Sequence, residues 1–528
     1  MRRARGQAML ALLGIAVAVG ASGDELSGAD KLRVVYSSQF SWTREGLPVV
    51  TVRVMEHRPS VTLAAEGMRV LPDGEGGAEV RGGATWTVRV VDGKPGKIVT
   101  HNVVASFAPA DTEKLQAELA KWREKKVQTR TFETGALFAV KGQTFDSRRV
   151  LVAAAGTTGG TAYPELVERP HGTVEAVDEH GTIVRNDSIL WFEPGPAGLV
   201  ELRDVDNEHG GKETRKYWGK LYVTVDNAGQ LAVVNAVPED KLLAGLVPAE
   251  MSASSPPEAL KAQAVAARNE LLAKIGTRHL TDPYRLCATQ HCQVYAGAGR
   301  EDARATAAVQ ATRGELLERD GGGLVDAVYS ASCGGHGENN EYVWGGSPDA
   351  ALRGKLDGDA ALRARLPKLA AIGEAELRAW LAMGPSPDGP WCARPKEAQV
   401  NFRWHKPIDV AALEARAGVG KLRDLTVLER GVSGRATRLR LVGDGGDKEL
   451  HGELEIRRAL GNLKSAMFVL DIARDAAGHV TSLSATGGGH GHGVGMCQVG
   501  AVGMAAAGKR YDEILRQYYA GAHLRKLY

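Results

Sequence analysis

A chain of 528 residues with 43% apolar and 24% charged residues is long enough for several globular domains, each with a core, and too apolar to be disordered. Its formal net charge of +3 is small for this size, which argues against nucleic acid or a membrane surface as a partner held by bulk electrostatics. Any anionic substrate must therefore be met locally.

The chain opens with "MRRARGQAMLALLGIAVAVGASGDEL", a basic segment (Arg2, Arg3, Arg5) followed by an apolar run from Ala8 to Val19 and small residues at Ala21 and Gly23. This is the pattern of a secretory signal peptide over residues 1–23. The run is shorter than the ~20 residues a spanning helix needs. Export to the periplasm or cell surface is the expectation. Five cysteines, Cys287, Cys292, Cys333, Cys392 and Cys497, are too few for a disulfide scaffold and odd in number, though an oxidising compartment permits one or two bridges.

From Leu32 to about Phe107, alternating runs such as "LRVVYSS" and "WTVRVV", broken by turns such as "PDGEGG", predict strands. The helical spacing of Leu115, Leu119 and Trp122 then predicts a helix before further strands, which together make an N-terminal α+β accessory domain over 27–160. The Gly- and Thr-rich "GTTGGTAYPE" introduces a strand-rich linker segment over 161–210. Residues 211–528 alternate strands with helices and read as a mixed α/β domain with a strand-rich insertion at about 395–485. The expected class is α+β, multidomain. In the best helix, Ser255 is the expected N-cap, Pro256 and Pro257 fill the first turn, Glu258 completes a capping box and Gly276 ends it.

Glu250 follows the Val247–Pro248 turn in an apolar stretch, where partial desolvation favours a protonated carboxyl able to donate a proton; a solvated surface glutamate would read the same way locally. His490 and His492 alternate with Gly489, Gly491 and Gly493, so two imidazoles project where the backbone can approach a ligand closely. That spacing suits sugar hydrogen bonds or loop bracing better than metal, and Gln498 adds an amide just beyond. Cys287, His291 and Cys292 are candidate zinc ligands, with His279 and the later Cys333 and His336 as neighbouring donors. A disulfide from Cys333 to Cys287 or Cys292 is the competing reading. Tyr295, Tyr342 and Trp344 are candidates for stacking on sugar faces or for plain core. Arg313 and Lys261 are candidates for contacts to anionic groups or for surface ion pairs.

Seven blocks, "VPAEM", "EALKAQAVAAR", "HCQVYAG", "AVQATRGELL", "SASCGGHGE", "GHGVGMCQVGAVGMAAAG" and "YDEILRQYYAG", occur in the order found in the SpoIID/LytB (stage II sporulation protein D, amidase enhancer) family, which the chain resembles over about 215–528. The resemblance implies lytic transglycosylase activity on peptidoglycan glycan strands, typically stripped of stem peptides. The bond between N-acetylmuramic acid and N-acetylglucosamine is cut and a 1,6-anhydro end is left. It implies Glu250 as catalytic acid and base, and Gln263, Arg268, His490, His492 and Gln498 as residues that line or support the groove, with Tyr295 a further candidate substrate contact. It implies no cofactor for the chemistry, a structural zinc being the candidate metal. The family usually has serine where this chain has Cys497, and often where it has Cys333. A non-catalytic glycan-binding enhancer of an N-acetylmuramoyl-L-alanine amidase is the alternative function. A zinc hydrolase on His490 and His492 lacks a general base at metalloprotease spacing.

Overall fold

The alternating runs of the N-terminal half do form strands, but they pair across long stretches of chain. The computed structural model describes residues 35–36 and 41–528, except 37–40, 73–77, 109, 135–147, 155, 157–160, 208–209, 290, 366–372 and 397. The expected signal peptide lies outside the described residues. Among the described residues no helix is long and apolar enough to cross a membrane.

The architecture is α+β. The largest sheet is built around β1 (Pro48–Arg58), β2 (Lys220–Val225) and β3 (Leu231–Pro238), with β3 between the other two. It continues from β2 through Ile189–Glu193, Arg69–Leu71 and Val80–Arg81. A six-stranded sheet runs in the order 183–187, 171–178, 85–94, 60–64, 199–206 and 212–218. Inward residues of both sheets, including Val50, Leu63, Trp86, Val174, Leu190 and Val233, join one core that extends to Val265, Met496 and Leu515. A smaller four-stranded sheet (162–168, 97–107, 148–154, 129–134) packs its Leu151 against Leu115 and Trp122 of α1 (Thr112–Glu124).

This pairing corrects the expected division at 160 and 210. Residues 162–218 are not a linker: they supply strands to all three sheets, and β1 pairs directly with β3. Local alternation identifies a strand but carries no information about its partner.

Every residue of β3 from Leu231 to Val237 is buried, as expected for a central strand covered on both faces. It runs straight into α2 (Glu239–Glu250), followed by α3 (Pro257–Lys274) and α4 (Ala303–Ala311). Near the C-terminus α5 (Gln498–Ala506) and α6 (Tyr511–Tyr518) pack on α3. Helix α3 is buried on nearly every side, Ala259, Ala262, Ala266 and Leu272 as well as Leu260, Ala264, Ala267 and Leu271. Its many alanines let those neighbours approach closely.

Its start differs from expectation. Pro256, not Ser255, is the N-cap, and no side chain caps the helix. Glu258 instead accepts from the Tyr511 backbone N–H at 2.9 Å and pairs with Lys261 at 2.7 Å.

Within the last third of the chain, two three-stranded sheets, 403–408 with 468–474 and 480–488, and 422–430 with 436–443 and 446–451, enclose a core of their own around Leu422, Leu439 and Phe468. The chain leaves the main body after β4 (Tyr329–Ser330) and returns to it at β5 (Met496–Cys497), and these two strands pair in parallel.

Candidate functional site

Glu250 is the last residue of α2, not part of a loop: Val247 and Pro248 lie inside the final turn, and the Met251 N–H still bonds to the Val247 carbonyl. It is partly buried. The first residue of α5, Gln498, reaches across from the other end of the sequence. Its side-chain Nε2 donates to the Glu250 carbonyl at 2.9 Å and to Gln263 Oε1 on α3 at 3.1 Å. The Glu250 main chain, Gln263 and Gln498 therefore meet at one point, where the end of α2 and the start of α5 face the middle of α3; Gln263 is fully buried, so it supports this point and, against expectation, does not touch a substrate.

The glycine and histidine loop lies against β4. His490 pairs with Ser332 through both backbone groups, and its Nδ1 is 3.2 Å from Asn401 Oδ1. His492 Nε2 donates to the Tyr329 carbonyl at 3.0 Å, while its Nδ1 accepts the Val494 N–H at 3.0 Å. Burial, reinforced by the Arg435 charge, pushes the His492 imidazole down to about 3. A neutral ring with both nitrogens engaged braces the loop and has no lone pair left for a metal. Its remaining face meets Trp344, ring centres 5.0 Å apart, and Trp344 is exposed. Gly493 must be glycine here, because a Cβ would sit 2.4 Å from the Arg435 guanidinium and the backbone has φ +78°.

Tyr329, whose carbonyl holds His492, lies within electrostatic reach of Glu250. Burial, then the Glu270 and Glu250 charges, pushes its phenol well above the ordinary value, so the group stays neutral. Gln293 donates to the Tyr329 hydroxyl at 2.6 Å and to Glu270 at 2.8 Å. Glu270 pairs with Lys274, whose ammonium donates to the Cys292 carbonyl at 2.6 Å. This polar chain of Tyr329, Gln293, Glu270 and Lys274 was missed by sequence reasoning; its only signal was polar residues on a helix that otherwise reads as core.

The chain ends at a compact donor cluster. Ligand atoms of His279, Cys287, His291 and Cys292 all lie within 4.8 Å of one another. His279 Nε2 is 3.2 Å from Cys292 Sγ, and its Nδ1 is 2.8 Å from Asp282 Oδ2. His291 Nδ1 faces Cys287 Sγ at 3.5 Å and Cys292 Sγ at 3.6 Å. Two sulfurs and two imidazole nitrogens, one imidazole backed by a carboxylate, match in kind the four ligands and outer support that a structural zinc ion would take. The alternative bridge from Cys333 does not fit. Cys333 instead lies beside Cys392 and Cys497, and His336 hydrogen-bonds the Gly337 carbonyl.

Other expected contacts are also corrected. Arg268 is fully buried, ion-paired to Glu239 and bonded to the carbonyls of Thr312, Glu315 and Val309, so it supports α3 and cannot touch a substrate. Tyr295 is 1% exposed, with its hydroxyl on Asn235 Oδ1 and its ring edge-on to Tyr217; it is core. Arg313 donates to the Glu45 carbonyl, and Lys261 lies between Glu258 and the Tyr511 ring.

Comparison with known proteins places this site. The family model for SpoIID, stage II sporulation protein, matches residues 227–318, which hold α2, α3, Glu250, Gln263 and the His279 cluster. The stage II sporulation protein D of Bacillus subtilis is 27% identical over 310 residues, 55% of this chain and 75% of that protein. Residues 227–318 are a SpoIID segment, and the chain is similar to proteins named for stage II sporulation protein D and amidase enhancer. The amidase enhancer of Bacillus subtilis is 28% identical over 53% of this chain but only 40% of its own length. An uncharacterized protein of Brachyspira hyodysenteriae is 28% identical over 58% of this chain and 72% of its own. A second model, a domain of unknown function (DUF8618), matches 338–495 and so runs from just after Cys333 to just before Cys497. The elements that converge on Glu250 thus come from both sides of that domain.

Proposed function

We propose that this chain is an exported peptidoglycan lytic transglycosylase with Glu250 as its single catalytic carboxyl. The observation that carries the reading is the convergence of Glu250, Gln263 and Gln498 beside the histidine loop. The protonated Glu250 donates its proton to the glycosidic oxygen as the bond between muramic acid C1 and the departing N-acetylglucosamine breaks. The resulting carboxylate then accepts the proton of the muramic acid C6 hydroxyl while that oxygen bonds to C1, leaving a 1,6-anhydro ring and returning Glu250 to its starting state. No water is consumed.

Ordinary glycosidases need a second carboxyl. Glu270, which like Glu250 bears on Tyr329, is held by Lys274 and Gln293, which suits a reaction that needs only one. Trp344, exposed beside His492, offers a stacking face for a sugar at the margin of the site. A zinc ion held by His279, Cys287, His291 and Cys292 has a structural role, since four protein ligands leave no open position for substrate.

The name of the Bacillus amidase enhancer supports a second reading, a glycan-binding stimulator of a cell-wall amidase. Digestion of peptide-free glycan strands separates the two. Anhydromuramic ends should form with the wild type and vanish with Glu250→Gln. Absence of those ends from the wild type, together with stimulation of an amidase that Glu250→Gln leaves intact, would make the chain an enhancer.

A further inference from the structure

Three cysteines remain outside the His279 cluster, and they come together from distant parts of the chain. Cys333 follows β4, Cys392 lies in a short 3-10 turn (Trp391–Ala393), and Cys497 closes β5 and caps α5. Asp357 joins them: the three sulfurs and a carboxylate oxygen all lie within 4.8 Å of one another. All four residues are at most 2% exposed. We propose that Cys333, Asp357, Cys392 and Cys497 form a second, structural zinc site.

The spacing fits a metal better than a bridge. Cys333 Sγ and Cys392 Sγ are 3.7 Å apart. Zinc–sulfur bonds of about 2.3 Å in a tetrahedron separate two sulfurs by about 3.8 Å, whereas a disulfide bond is about 2.0 Å long.

The surroundings are those of ligands already oriented. Asp357 Oδ1 accepts from the Tyr518 hydroxyl at 2.7 Å and Oδ2 from the Cys392 N–H at 2.9 Å, which leaves each oxygen one more lone pair. Cys497 Sγ accepts the N–H groups of Cys333 at 3.1 Å and Gly500 at 3.4 Å. A Cβ at Gly500 would stand 2.1 Å from the Tyr518 hydroxyl and 2.9 Å from Asp357, so glycine is what lets α5 come this close. These are the outer hydrogen bonds that hold metal ligands in place.

Charge supplies an independent reason. Asp357 is buried, and among the described residues no basic side chain forms an ion pair with it. A carboxylate so placed is costly unless a cation meets it. Two guanidiniums sit on the sulfur side instead: Arg435 donates to the Cys333 carbonyl at 3.2 Å, and Arg403 donates to the Gly334 carbonyl at 2.9 Å. Three thiolates and one carboxylate around Zn²⁺ carry two net negative charges, which these two cations offset. Thiolate-rich donor sets select zinc among the common divalent ions.

Such an ion would tie the region spanned by the domain of unknown function to the start of α5. The residue after Cys497 is Gln498, whose amide holds the Glu250 carbonyl. The second zinc is thus a fastening for the catalytic end of α2, supplied from outside the SpoIID segment.

Metal analysis of the purified full-length exported chain tests this, with zinc as the probe. Two zinc ions per chain are expected. Cys497→Ser and, separately, Cys333→Ser should each lose one equivalent while retaining the wild-type circular dichroism. The Cys287→Ser/Cys292→Ser variant should keep one equivalent, and its cobalt-substituted form should show the intense sulfur-to-cobalt charge-transfer band of a tetrahedral thiolate site. Thiol titration of the unfolded, chelated wild type should return all five cysteines. Zinc content unchanged in both serine variants overturns the proposal. So does a Cys333–Cys392 disulfide in the unreduced wild type, found by peptide mapping as a linked pair two hydrogens lighter than the thiols.

Discussion

Replacing Arg268 by methionine should unfold the helical core without touching the substrate. The guanidinium and the Glu239 carboxylate are both 0% exposed, and the same guanidinium also donates to Thr312 O at 2.8 Å and Glu315 O at 3.3 Å. Removing one partner of such a pair strands the other charge and typically costs about 3–5 kcal/mol, a large share of the ~5–15 kcal/mol that holds a domain together. The paired replacement Arg268→Met/Glu239→Leu should recover most of that loss. The Thr312 carbonyl keeps the Glu315 N–H and the Val309 carbonyl keeps the Thr312 N–H and hydroxyl, so few acceptors are left bare. A double-mutant cycle on urea unfolding, followed by circular dichroism, measures the coupling. Alongside it, KM for glycan strands in the fraction that stays folded should match wild type. Stability within about 1 kcal/mol of wild type combined with a raised KM would refute the assignment and return Arg268 to the substrate groove.

Gln498→Ala removes two hydrogen bonds, each worth about 0.5–1.5 kcal/mol, so kcat for release of anhydromuramic ends should fall roughly five- to a hundredfold with KM little changed. A change confined to KM would instead make Gln498 a substrate contact. Chelation, or His291→Ala, should lower the melting temperature while the product keeps its anhydro end; reducing ends would show that a metal does the chemistry. Burial holds His492 down at about 3 and His336 at about 4, both below the ordinary 6.5. The unfolded chain therefore binds these protons first, and stability should fall by about 1.4 kcal/mol per histidine for each pH unit below 6.5, levelling off near 4 for His336. His336→Gln should flatten the low-pH slope of unfolding free energy, and an unchanged slope would show that His336 protonates freely in the folded protein.

Much of the site was legible because its residues are constrained by type. An acid at Glu250, amides at Gln263 and Gln498 and a glycine and histidine loop announce themselves, and the structure brings the first three together. Arg268 and Tyr295 were misjudged for the opposite reason. A guanidinium or a phenol serves equally well inside, provided partners are waiting, and those partners (Glu239, Asn235) lie on other elements that local sequence does not locate. Cysteine spacing failed similarly. Cys333 is closer in sequence to Cys292 than to Cys497, yet the parallel pairing of β4 with β5 sets it beside Cys497. The helix start at Ser255 failed because Glu258 found the Tyr511 backbone and Lys261 rather than its own helix end.

The pairing of β1 with β3 has a practical bearing on how this protein can be cut. A fragment trimmed to the SpoIID-like part, beginning near residue 211, would keep β3 and the helix it feeds but discard the neighbour along one whole side. The strand left behind, apolar on both faces, would be a bare edge that recruits other chains into fibrous or swapped assemblies. Where the homology stops is therefore not where the molecule can be divided, because the N-terminal half supplies the strand that covers the edge of the part that bears Glu250.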